Sequence, residues 1–89
     1  CLEWAPFNIN VNAIAPGAIG PTDAFYVPSW NASREDHQKS FKLLESLVPK
    51  KRFGSPREVG MLAVYLASPA GDYINGQVIA IDGGISQAM

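Results

Sequence analysis

Two apolar runs, each cut off at a glycine turn, constrain this 89-residue chain more than anything else in it. Near its start Asn10-Val11-Asn12-Ala13-Ile14-Ala15-Pro16-Gly17 stops on Pro-Gly, and near its end Gln77-Val78-Ile79-Ala80-Ile81-Asp82-Gly83-Gly84 stops on Gly-Gly. Runs of this kind are parallel strands that deliver their carboxyl ends to the crevice where an open α/β sheet binds ligands. Joined by the helical sequence between them, they make one βαβ unit. One unit is too little for a whole doubly wound domain, so the chain reads as part of one.

The rest of the sequence fits around these runs. Leu2, Glu3 and Trp4 favour helix and Pro6 forbids its continuation, so residues 1–5 are expected to be the last turn of a helix. Ile9, Val11 and Ala13 alternate with Asn10 and Asn12, which predicts a strand over 9–14. Residues 15–31 hold Pro16, Gly17, Gly20, Pro21 and Pro28 and read as a long loop, a length at which loops tend to be functional. From Ser33 to about Leu47 the pattern is helical: Ser33 can cap, Glu35 and Asp36 suit the first turn, and Pro49 stops it. Ser55-Pro56-Arg57-Glu58 is a capping box with proline at the first helical position, opening a helix that runs to about Ala67. Val59, Leu62, Ala63 and Leu66 share one face of it, and Met61, Val64 and Tyr65 cover much of the rest. A helix apolar nearly all round is expected to be buried on two sides, against the sheet and against a second subunit. Residues 68–72 break it, 73–76 turn, and 77–81 form a strand expected to be covered on both faces.

Bulk properties exclude several classes of function. A net charge of −1 leaves no electrostatic footprint for nucleic acid or anionic membrane. Cys1 is the only cysteine, so an internal disulfide and a Cys-x-x-Cys metal cluster are excluded, no metal is expected, and a reducing compartment fits. No apolar run approaches the ~20 residues of a membrane span. Charged residues make up only 17% of a small chain, which suggests that apolar surface meets other protein. The opening on Cys1, without an initiator methionine, reads as a fragment of a longer reading frame rather than a processed terminus.

Five motifs follow one another in order: Asn12-x-x-x-Pro16-Gly17, Arg52-Phe53-Gly54-Ser55-Pro56-Arg57-Glu58-Val59, Tyr65-Leu66-Ala67-Ser68, Tyr73-Ile74-Asn75-Gly76-Gln77-Val78 and Asp82-Gly83-Gly84. Over residues 2–86 this series resembles the C-terminal third of the short-chain dehydrogenase/reductase family. The resemblance implies an α/β fold: the C-terminal part of a doubly wound parallel-sheet, NAD(P)-binding Rossmann fold, with its last two strands, lid helix and interface helix. Residues 1–89 would form this partial domain, and 20–49 the substrate lid. It implies NAD or NADP as cofactor and a small-molecule substrate. Pro16, Gly17 and Ile19 would border the nicotinamide, the Ile19 backbone would hold its carboxamide, and the Thr22 hydroxyl would lie near the carboxamide or the pyrophosphate. The full protein would transfer hydride between carbonyl and alcohol or reduce an enoyl or dienoyl group, as a dimer or tetramer assembled through the 55–67 helix and the 77–84 strand. Its compartment would be the cytoplasm, or the peroxisome or mitochondrion for a dienoyl-CoA reductase.

The departures from the family pattern are specific. Pro21 displaces Thr22 by one residue, a spacing similar to that of the 2,4-dienoyl-CoA reductases, and Asn10 stands where arginine or lysine is common. No tyrosine here has lysine four positions later, so Tyr26, Tyr65 and Tyr73 carry no catalytic role by motif and no catalytic residue is assigned. Phe25 and Trp30 either line an apolar substrate pocket or anchor the loop. Asn12 suits a structural hydrogen bond better than a substrate contact. His37 reads as a solvated surface residue, and Lys50-Lys51-Arg52 as a helix-end cluster rather than a phosphate site. Asn31-Ala32-Ser33 matches a glycosylation sequon by accident, and Asp82-Gly83-Gly84 reads chiefly as the turn that ends the sheet. The competing reading is a non-catalytic product, either a truncated gene or a module that only associates with family subunits.

Overall fold

The computed structural model describes residues 1–20 and 34–87, apart from the side chains of 34–37. The element order is a 3-10 turn at Ala5–Phe7, strand β1 (Ala13–Pro16), helix α1 (Arg34–Leu47), helix α2 (Pro56–Ala67), a 3-10 turn at Pro69–Gly71, strand β2 (Val78–Ile81) and a 3-10 turn at Ile85–Gln87. β1 and β2 pair in parallel, with Ala13 opposite Val78 and Pro16 opposite Ile81. Parallel neighbours require a crossover, and α1 and α2 lie in it.

β1 starts at Ala13, not at residue 9 as the alternation predicts. The reason lies in the asparagines. Asn10 Nδ2 donates to Asp72 O at 2.9 Å and Asn12 Nδ2 to Ile74 O at 2.9 Å, while Asn75 Oδ1 accepts from Val11 N and Asn12 Oδ1 from Gln77 N. Gly76 N completes the set by donating to Val11 O. Side-chain amides thus do the pairing here that a backbone ladder does further on, and the structural reading of Asn12 holds. From Ala13 the ladder takes over: the amides of Ala13 and Gly17 donate to Gln77 O and Ile81 O. By alternation the N–H position of Pro16 faces the other edge of β1, where proline has no ladder bond to lose.

Three other expectations change. Residues 1–5 do make one helical turn, with Ala5 N donating to Cys1 O at 3.0 Å, but Pro6 does not stop it: the chain continues as the 3-10 turn Ala5–Phe7 and leaves it at Asn8, whose φ is 62°. β2 spans Val78–Ile81, and only one of its faces is covered: Ile79 and Ile81 are half-buried, whereas Val78 is 74% exposed. α2 likewise covers one face, with Val59, Leu62 and Leu66 half-buried and Met61, Val64 and Tyr65 exposed. Its capping box forms as the sequence predicts, Glu58 N donating to Ser55 Oγ and Ser55 N to Glu58 Oε1. Among the described side chains, Val48 alone is fully buried, at 1% exposure, just beyond the end of α1.

Candidate cofactor-side loop

Both strands end on the same side of the sheet, and the segment after β1 runs along that rim. Of the residues expected to contact a cofactor, Pro16, Gly17 and Ile19 lie here. Thr22, Phe25 and Trp30 lie outside the described residues.

Gly17 is glycine for a different reason from the one its Pro-Gly context suggests. Its φ is not positive; in this loop the positive φ falls on Gly20, at 134°. A Cβ added at Gly17 would stand 2.6 Å from Asp82 Cβ and 2.9 Å from Asp82 Cα. Gly17 is the point where the end of β1 touches the end of β2, and no side chain fits between them. Asp82 is fixed in turn by its own loop, its carboxylate accepting from Gly84 N at 2.9 Å and Ser86 N at 3.3 Å. Hydrogen bonds from Ser86 and the Gly84 amide hold the Asp82 carboxyl below the usual carboxylate range.

Ile19 is set by Gly54, a pairing that the sequence did not reveal. Gly54 N donates to Ala18 O at 3.0 Å and Gly20 N to Gly54 O at 2.9 Å, a parallel bridge with Ile19 as its middle residue. In such a bridge the middle residue contributes neither its N–H nor its C=O; both turn to the opposite edge. A Cβ at Gly54 would stand 2.8 Å from Ile19 Cδ1, so the Ile19 side chain packs against the bare backbone of Gly54. The result is one donor and one acceptor held in extended backbone at the carboxyl rim, the pair that a flat primary carboxamide matches.

A cavity of about 400 Å³ opens beside this loop, lined by Ala18, Ile19, Lys50, Arg52, Asp82 and Gly83 among others. Its rim is organised by Arg52, whose Nη1 and Nη2 reach Glu58 Oε1 and Oε2 at 2.8 and 3.1 Å. The Arg52 hydrogen bond, followed by that of the Ser55 amide, lowers the Glu58 carboxyl to about 2. Lys51 Nζ donates to Ser46 O at 2.7 Å, as a basic residue at a helix end does.

The chain has well-populated relatives. A family model described as enoyl-(acyl carrier protein) reductase matches residues 1–86. The 2-dehydro-3-deoxy-D-gluconate 5-dehydrogenase of Dickeya dadantii is 44% identical over 82 residues, covering 92% of this chain and 30% of that protein. The peroxisomal 2,4-dienoyl-CoA reductase of Rattus norvegicus is 39% identical over 83 residues, covering 93% of this chain and 26% of that protein. Among solved structures, the NADPH-dependent reductase of bacilysin biosynthesis superposes with a TM-score of 0.79 at 40% identity, covering 94% of this chain and 32% of that one. The chain therefore spans about 30% of the length of the curated relatives it matches.

Proposed function

This chain belongs to the short-chain dehydrogenase/reductase family, and from that membership we propose that its full polypeptide is an NAD(P)-dependent oxidoreductase. The observation that carries the proposal is the Ile19 backbone, turned away from Gly54 at the carboxyl rim of a parallel sheet. Pro16, Gly17 and Ile19 would border the nicotinamide, with the Ile19 N–H and C=O gripping its carboxamide, so that one face of the ring is presented to substrate. When bound, the cofactor supplies or accepts the hydride. The residues of this chain bind and orient it, and the segment through α1 covers the substrate and excludes water. Thr22 as a further cofactor contact, and Phe25 and Trp30 as substrate contacts, belong to the same proposal. The proton that accompanies the hydride has no donor by motif in this chain and is assigned to residues elsewhere in the full polypeptide.

Reduction of a carbonyl, or its reverse, is the chemistry we favour. The sugar acid in the name of the Dickeya relative is the first substrate to assay, and the loop spacing at Pro21 keeps enoyl or dienoyl reduction as the alternative. The exposed Met61, Val64 and Tyr65 face of α2 and the exposed Val78 on β2 support assembly into a homo-oligomer through those elements. The single cysteine supports a cytoplasmic setting.

Ile19→Pro tests the reading in the full-length polypeptide. The bridge to Gly54 uses Ala18 O and Gly20 N and survives the substitution, whereas the outward N–H is deleted. Loss of that hydrogen bond is expected to raise the Kd for NADH or NADPH by roughly tenfold, read by fluorescence titration. Unchanged affinity for both would remove Ile19 from the cofactor site.

A further inference from the structure

We propose that the Asp82-Gly83-Gly84 turn is the mount that positions α1, with Val48 as its plug; that α1 belongs to a substrate cover rests on the oxidoreductase reading above. Sequence alone makes this turn the end of the sheet. The structure makes it a socket. Val48 is 1% exposed, and a Cβ at Gly83 would stand 2.7 Å from Val48 Cγ1. The next glycine faces Pro49, 3.4 Å from where its Cβ would be. Gly83 and Gly84 adopt φ of 64° and 95°, so their left-handed backbone and the missing side chains shape the socket together. Lys50 N donates to Gly83 O at 3.3 Å and Lys51 N to Val48 O at 2.8 Å, and Lys51 itself turns through φ 60°.

The other end of the same segment is also tied. Gly54 is bonded to Ala18 and Gly20 of the cofactor-side loop, so residues 48–54 run as a strut from the end of β2 to the end of β1. Phe53 in this strut meets Phe41 of α1 edge-on, with ring centroids 6.4 Å apart. Above this root α1 leaves Leu43 and Leu47 exposed, at 65% and 59%. Its 14 residues span about 21 Å, so a small tilt at the root displaces the far end several times further.

Hydrogen exchange in the full-length polypeptide, read by mass spectrometry without cofactor or substrate, tests the mount. Val48→Ala is expected to accelerate exchange in α1 by about tenfold or more while β1 and β2 stay within about twofold of wild type. Gly83→Ala acts on the same contact, so the double variant should accelerate α1 by less than the product of the two single effects. A core residue without a mounting role would loosen both strands and α1 alike. Lys51→Ala lies on the surface and keeps the test decisive where Val48→Ala does not fold: loss of its contact with Ser46 O should speed the last turn of α1 roughly threefold. Wild-type exchange of α1 in the folded variants, or equal acceleration of α1, β1 and β2, overturns the mount. A wild type that binds neither NADH nor NADPH overturns the oxidoreductase reading instead and leaves the exchange result standing.

Discussion

At the scale of single residues, two glycines of the cofactor-side loop and its partner segment meet residues far away in sequence. Gly17 meets Asp82 and Gly54 meets Ile19, so the two residues that shape the cofactor-side loop are each defined by a contact across the fold. Gly17→Ala separates this role from close approach to a ligand. Its Cβ would collide with the Asp82 backbone as well as the side chain, and backbone yields less readily than the tip of a side chain. Overpacking of this kind costs about 3 kcal/mol, at the upper end of its usual range, and should appear as a lower urea midpoint in the full-length polypeptide. An unchanged midpoint with weakened NAD(P)H binding would give Gly17 the nicotinamide contact that the family resemblance implies.

At the scale of elements, legibility follows the distance between partners. The start of α2 was readable because Ser55 and Glu58 are three residues apart and the capping box is a local device. The start of β1 was not, because the partners of Asn10, Val11 and Asn12 lie 62 to 65 residues away and pair through side chains. The mount at Gly83 was hidden for the same reason, although the Gly-Gly pair announced a special backbone. The Glu58 hub gives α2 a pH signature. With its carboxyl at about 2, against an ordinary 4.5, Glu58 binds its proton more weakly folded than unfolded. Its contribution to stability is therefore complete above pH 4.5 and is lost as pH falls towards 2. Urea midpoints of wild type and Glu58→Gln, followed from pH 6 downward, should accordingly converge across that window; parallel curves would show that the Arg52 pair does not stabilise the start of α2.

At the scale of the whole molecule, burial and family membership point the same way. The chain exposes 6843 Å² of surface, whereas a compact protein of its 9.6 kDa exposes about 5,100 Å². Much of the exposed surface is apolar: Leu2, Phe7, Met61, Val64 and Val78 are each at least 59% exposed. Among the described residues no strand pairs with the other edge of β1, since the bonds of Ala13 and Gly17 face β2. Relatives about three times as long supply, in their own chains, sequence with no counterpart in these 89 residues. The isolated 89-residue chain is thus expected to aggregate or to melt without a cooperative transition, and to bind NADH and NADPH too weakly for titration calorimetry to detect. The same residues within the full polypeptide should unfold as part of one cooperative unit. A sharp melt of the isolated chain, together with micromolar cofactor binding, would mean that one βαβ unit and its cofactor-side loop suffice for the site, and that the exposed face of α2 is not a surface awaiting cover.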